Sequence, residues 1–165
     1  MIEFEKVENK QSSINELAKL AYEIWHEYWP IILSAKQIDY MVEKIQSEHA
    51  IINQINNDNY VYFYILSDKE KSGYIGVSRK KDYLFLSKMY IKKAFRHKGI
   101  GSKAFDFIKE YAKKNNYKKI RLTVNKYNKN TINAYNKWGF KTINSVVTDI
   151  GNNFVMDDYI MEYDI

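Results

Sequence analysis

The chain has 165 residues, 45% of them hydrophobic and 16% aromatic, with 15 tyrosines and a formal net charge of +6. That size and apolar content fit one compact domain over residues 1–165 with its own core, and they exclude intrinsic disorder. The absence of cysteine excludes disulfides and thiolate chemistry, and no run approaches the ~20 apolar residues of a membrane span.

Residues 2–7 alternate well enough for an edge strand. The opening MIEFEKVENK mixes acids with lysines and has no apolar signal core, so a cytoplasmic location is expected. Residues 12–30 predict a helix. Ser13 and Glu16 have capping-box spacing, Ile14, Leu17, Leu20, Ala21 and Ile24 recur at helical intervals, and Pro30 ends it. A second helix over 34–47 puts Ile38, Met41, Val42 and Ile45 on one face, whereas 49–58 is short and ambiguous.

From Asn59 the period changes. Residues 59–67, 72–80 and 83–91 are β-branched and aromatic runs with short connections, which predicts an antiparallel meander. A helix then runs through Ala104, Phe105, Ile108, Tyr111 and Ala112, followed by a strand over 117–125 and a short helix over 130–138 with Gly139 at its stop. Strands over 140–147 and 153–165 close the chain. The unit from Tyr83 to Asn125 is strand–helix–strand, so its two strands should be parallel. The expected fold is α+β: a mixed, mostly antiparallel sheet of about seven strands, a central parallel pair, and four or so flanking helices.

Between the meander and the next helix lies RHKGIG, residues 96–101, within a segment carrying Lys92, Lys93, Arg96, Lys98 and Lys103 and no acid. Charge this local favours a discrete anionic ligand over a long polyanion, so nucleic acid is not the expected partner. A nucleotide P-loop is excluded because neither glycine is placed for it. Gly99, Gly101 and Ala104 spell part of a dinucleotide fingerprint, but a polar stretch separates them from the strand and the following strand ends in Asn125 rather than an acid. A tight strand-to-helix turn without a ligand is one remaining reading. The other is a pyrophosphate cradle, in which glycines allow close backbone approach, helix N-terminal N–H groups face the anion, and Arg96, His97 and Lys98 add charge-assisted bonds.

A second motif chooses between them. Asn128, Thr131, Ile132, Tyr135, Lys137, Gly139 and Phe140 resemble the N-x-x-A-[IL]-x-x-Y-x-K-x-G-F pattern of the GCN5-related N-acetyltransferases, and residues 96–101 resemble that superfamily's R/Q-x-x-G-x-G/A. Order and separation agree, although Lys93 stands where a proline is common. The helical region 24–47 and the final strand also resemble a bacterial subgroup that includes polyamine acetyltransferases.

The resemblance implies an acetyl-coenzyme A-dependent N-acetyltransferase with the two central parallel strands splayed around the cofactor. It places pantetheine on the main chain of Met89, Tyr90 and Ile91 near a β-bulge, and pyrophosphate on Arg96, His97, Lys98, Gly99, Ile100, Gly101 and Ser102. Asn128 would contact the pantetheine arm, or serve as an N-cap, and Lys137 belongs to the same motif. Tyr135 would protonate the departing thiolate, a transfer that a phenol of pKa about 10 can make to a thiolate of pKa about 8.5. No metal is implied, and a homodimer is compatible with the family.

Acceptor pockets in this fold use the N-terminal helices and last strands. Here those offer Trp25, Glu27 and Tyr28 with Asp149, and nearby His26, Trp29, Asp157, Asp158 and Glu162. Aromatics with acids suit a cation, so the expected acceptor is a polyamine or another small primary amine; the sequence identifies no base for it, and relay through water or from Glu27 or His26 are the open alternatives. A peptide acceptor and a non-catalytic acetyl-coenzyme A-binding module are the alternatives.

Overall fold

The computed structural model describes residues 1–165. The strands are β1 (Ile2–Lys6), β2 (Tyr60–Ser67), β3 (Glu70–Arg79), β4 (Leu84–Ile91), β5 (Lys119–Asn125), β6 (Lys141–Gly151) and β7 (Phe154–Asp164). The helices are α1 (Gln11–Tyr28), α2 (Ala35–Gln46), α3 (Glu48–Asn57), α4 (Ile100–Lys114) and α5 (Lys129–Lys137). One seven-stranded sheet runs in the order β1–β2–β3–β4–β5–β7–β6, and only β4 and β5 are parallel neighbours. No helix is long and apolar enough to cross a membrane.

The alternation of side chains across the strands divides the core in two. On one face Phe63, Ile65, Ile75, Val77, Leu84, Leu86, Ile120, Leu122 and Val124 meet the apolar stripe of α4, which is Ile100, Ala104, Phe105, Ile108 and Ala112. On the other, Tyr62, Tyr64 and Tyr74 receive α1 through Ile14, Leu17, Leu20, Ala21 and Ile24, with Ile51 of α3. A buried hydrogen-bond chain fixes that second layer. The Trp25 indole donates to the Tyr74 hydroxyl (2.7 Å), Tyr74 donates to Gln46 Oε1 (2.6 Å), and Gln46 Nε2 donates to the Tyr62 hydroxyl (3.1 Å). Tyr62 in turn donates to Gln54 Oε1. All three helices are thus tied to the sheet, and no polar group in the chain is left to the apolar surroundings.

Three local features differ from the expectation. The ambiguous stretch 49–58 is α3, started by Ser47, whose hydroxyl accepts from the Ala50 N–H (3.2 Å). Helix α1 begins before the expected capping box, at Gln11, and Glu16 turns outward to pair with Lys71 instead of capping. Strand β6 runs on to Gly151 because Asn152 and Asn153 both hold positive φ (54° and 61°), which makes a tight hairpin with β7.

The site depends on what β4 and β5 do. They pair only at Leu84↔Ile120 and Phe85↔Arg121, after which β4 continues to Ile91 and β5 to Asn125 without further ladder pairs. A bulge contributes to the divergence. Gly76 pairs with Lys88 but Val77 with Leu86, so Ser87 is the extra residue on β4. The far arm of β4 stays on β3, where Gly73 lies opposite Ile91. A Cβ on Gly73 would stand 2.2 Å from the Tyr90 carbonyl oxygen. Gly73→Ala is therefore expected to destabilise by about 1–3 kcal/mol through overpacking, lowering Tm by roughly 3–10 °C in a thermal melt; an unchanged Tm would show that β3 and β4 separate freely at this point.

Candidate active site

Two cavities open where β4 and β5 part. The first, about 230 Å³, is walled by α1, the turn after it and α2 through Trp25, Tyr28, Trp29, Met41 and Ile45, and by Ser87, Lys88, Tyr90, Asn125 and Asp158 of the strands. The second, about 600 Å³, runs along the end of β4, the following loop and the start of α4, and reaches Trp138. Tyr28, Met89, Tyr90, Asn128, Thr131 and Tyr135 line both. Two compartments therefore meet across a shared wall.

The second cavity has the chemistry of an anion cradle. Gly99 sits at the N-cap of α4 with left-handed backbone (φ 75°), and His97 is left-handed as well (φ 62°). Such alternation gathers successive N–H groups into a concavity that suits an anion, and the α4 terminus adds its own free N–H groups and dipole. Nothing lies within 4 Å of where a Gly99 Cβ would be, and a Gly101 Cβ would only graze Trp138 at 3.5 Å. The indole of Trp138 is itself held in place by stacking on Phe105 (5.1 Å between centroids).

The predicted cofactor residues divide accordingly. Met89, Tyr90, Ile91, Arg96, His97, Gly99, Ile100, Gly101, Ser102, Asn128 and Tyr135 all line the second cavity. Lys98 stands beside it, its ammonium 5.5 Å above the Phe95 ring, and Lys137 lies exposed on α5 outside both cavities. Arg96 is folded inward. Its Nε donates to the Ile91 carbonyl (2.9 Å), its guanidinium lies 5.0 Å from the Tyr28 ring centroid, and one buried Nη has no hydrogen-bond partner. Asn128 precedes α5 but does not cap it; its amide donates to the Tyr28 hydroxyl, which also bonds Thr131 Oγ1 (2.9 Å). Tyr28 thus joins the end of α1 to the start of α5 across the opening.

The acceptor-side expectations are rearranged. Trp25 and Tyr28 line the first cavity, and with Trp29 they surround Tyr90 at centroid distances of 5.4, 5.6 and 6.3 Å. Glu27 instead faces the second cavity, where it accepts from the Lys93 N–H and lies 3.7 Å from Arg96. Asp149 is exposed on β6, accepts from the Gly151 N–H (2.8 Å), and reaches neither cavity. His26 bonds Asp39 on the outer surface (2.7 Å).

Two charged groups line the first cavity, Lys88 and Asp158. Burial, reinforced by the adjacent Asp157 and opposed by Lys126, pushes the Asp158 carboxyl up to about 6, and its buried Oδ1 has no hydrogen-bond partner. Burial lowers the Lys88 ammonium to about 7. Tyr135, buried on the shared wall, has its phenol pushed well above the usual range, first by burial and then by Tyr28. It stays protonated across the working pH range. Sequence reasoning missed Lys88 and Trp138, since no motif marks either.

Known proteins agree with this geometry. The model of the acetyltransferase (GNAT) family matches residues 17–140, and the chain belongs to that family of acyltransferases. The PaiA N-acetyltransferase of Thermoplasma acidophilum, solved with coenzyme A, is 23% identical over 100% of this chain and 99% of its own, with a TM-score of 0.82. A GNAT acetyltransferase from Elizabethkingia anophelis with acetyl-CoA bound is 14% identical over 99% and 98% (TM-score 0.65). The ribosomal-protein-S18-alanine N-acetyltransferase of Escherichia coli is 13% identical over 100% and 94% (TM-score 0.73). No curated protein sequence matches the chain.

The orphaned Arg96 nitrogen, the open space over Gly99 and Gly101, and the elongated volume all fit coenzyme A. A Cβ at Gly101 would make only ordinary contact with Trp138, at 3.5 Å, and the γ-carbons of a valine would narrow the cavity beyond it. Gly101→Val is expected to weaken coenzyme A binding at least tenfold by calorimetry, with a thermal melt confirming that the variant is folded; undiminished affinity would move the pyrophosphate elsewhere.

Proposed function

We propose that the chain transfers an acetyl group directly from acetyl-coenzyme A to the nitrogen of a small primary amine, of which a polyamine is one candidate. The observation that carries this reading is the shared wall: a long anion-binding cavity and a small aromatic cavity meet at Tyr135, in the gap where β4 and β5 separate. Bound acetyl-coenzyme A supplies an activated acetyl thioester, and the remaining roles fall to the chain. The main-chain N–H groups of Met89 and Ile91 point to the β5 side, where no strand partner meets them, while Tyr90 between them pairs with Tyr74 of β3; the free groups are placed to hydrogen-bond the pantetheine and to polarise a carbonyl. Arg96, with Gly99–Ser102, receives the pyrophosphate. Tyr135, neutral and buried, donates a proton to the leaving sulfur.

On the acceptor side, Trp25, Tyr28 and Trp29 line the cavity with aromatic surface that suits an alkylammonium, and the unpartnered Asp158 oxygen offers a hydrogen-bond acceptor and a sink for its proton. The first cavity, at about 230 Å³, lies below the usual range of drug-sized pockets, which favours a small acceptor over a folded peptide.

Release of free thiol from acetyl-coenzyme A, followed over a panel of amines and peptides, tests the reading; tight cofactor binding without any turnover would favour a non-catalytic module. Tyr135→Phe is expected to lower kcat about 10²–10⁴-fold, and an unchanged rate at the optimum pH would remove the acid role. Asp158 is a carboxylate above pH about 6 and loses its charge below it. The pH profile of kcat/KM for the amine should accordingly steepen below pH about 6, and Asp158→Asn should remove that extra slope.

A further inference from the structure

The cavity that would receive the amine has charges of opposite sign on opposite walls: Lys88 on β4 and Asp158 on β7, across the gap. Asp158 accounts for a cationic end. Lys88 has no such explanation in a cavity for a simple amine or a polyamine.

The lysine is held in place by design of the local backbone. It follows the Ser87 bulge, which turns its side chain onto the α1–α3 face. Its stem lies over Gly76, where an added Cβ would come within 3.0 Å of Lys88 Cγ. The residue is 6% exposed, and no carboxylate lies within salt-bridge distance of its ammonium. Its protein contacts are the hydroxyl of Ser87, which also lines the cavity, and the ring of Tyr60 at 5.2 Å. An ammonium has three donors, and Ser87 takes one. A buried cation without an anion is costly, and the depressed protonation of Lys88 reflects that. A bound anion would supply the missing partner and restore the charge.

We propose that Lys88 binds an anionic group on the acceptor, so that the substrate is a small primary amine that also carries a carboxylate or similar acidic tail. The proposal rests on the acetyltransferase reading and narrows its acceptor class. Asp158 receives the ammonium end beside Tyr135, and Lys88, with the Ser87 hydroxyl, receives the acidic end. A diamine of the same length would set its second ammonium against Lys88.

The experiment compares three acceptors at each chain length from three to six carbons: the n-alkylamine, the α,ω-diamine and the ω-amino carboxylate, with thiol release as the readout. The ω-amino carboxylate should have a KM at least tenfold below that of the alkylamine of equal length, and the diamine the highest KM of the three. In Lys88→Met the ratio of the carboxylate's KM to the alkylamine's should rise tenfold or more, and in Lys88→Arg it should stay close to that of the wild type. Should the substituted proteins fail to fold, inhibition of the wild type by n-alkyl carboxylates, competitive against the amine, reads the same site. A diamine preferred over the carboxylate, or a preference that survives Lys88→Met, would overturn the proposal while leaving the acetyltransferase reading intact. No turnover with any amine, despite coenzyme A binding, would overturn that reading and this inference with it.

Discussion

The interruption of the β4–β5 ladder governs the rest of the molecule. A strand in the middle of a sheet presents N–H and C=O groups to both sides, and buried ones need partners. Here two pairs form and the remaining facing edges diverge. The sheet would be unstable at such a place unless its two halves were held by other means. Packing of α4 beneath both strands supplies part of this, through Leu84 and Leu86 on one side and Ile120, Leu122 and Val124 on the other. Tyr28 supplies another part, since its hydroxyl reaches Asn128 and Thr131 from the end of α1. The outcome is a rigid frame around an unfilled hydrogen-bonding slot, which is the preorganisation that electrostatic catalysis requires.

Charge is distributed on the same plan. The five cations between Lys92 and Lys103 do not all project into solvent: Lys92 lies 3.4 Å from Glu23 and Arg96 lies 3.7 Å from Glu27. Both acids come from α1, so the helix that walls the aromatic cavity also restrains the basic loop after β4. A polyanionic ligand arriving at this loop would compete with Glu27 for the Arg96 guanidinium, whose Nη2 lies 3.7 Å from Glu27 and makes no hydrogen bond. The exposed surface pairs, such as Lys109 with Asp106, contribute little by comparison.

Much of this was legible in the sequence. Periodicity marked all seven strands, the strand–helix–strand order marked the parallel pair, and the glycine and Asn–Tyr–Gly–Phe motifs marked the loop and the wall residue Tyr135, because those positions are set by local backbone geometry and short-range spacing. What escaped has a common cause: it depends on contacts between residues far apart in the chain. Glu16 looked like a capping residue because its spacing from Ser13 is local, whereas its partner Lys71 lies on β3. Glu27 looked like an acceptor group until the loop after β4 folded over it. Lys88 is one lysine among many in a strand pattern, and nothing in SKMYI announces a bulge that inverts which face it occupies. Asp157 and Asp158 are adjacent and chemically identical, yet strand alternation sends the first to Lys126 and the second into the cavity.

The placement of the three tryptophans gives the protein an internal optical readout. Trp25 and Trp29 belong to the small aromatic compartment and Trp138 to the elongated one. Occupation of either compartment would change the polarity around a different indole, so emission from this chain would separate the two proposed binding events without any attached dye. Single Trp→Phe replacements would then assign each spectral change to its own compartment.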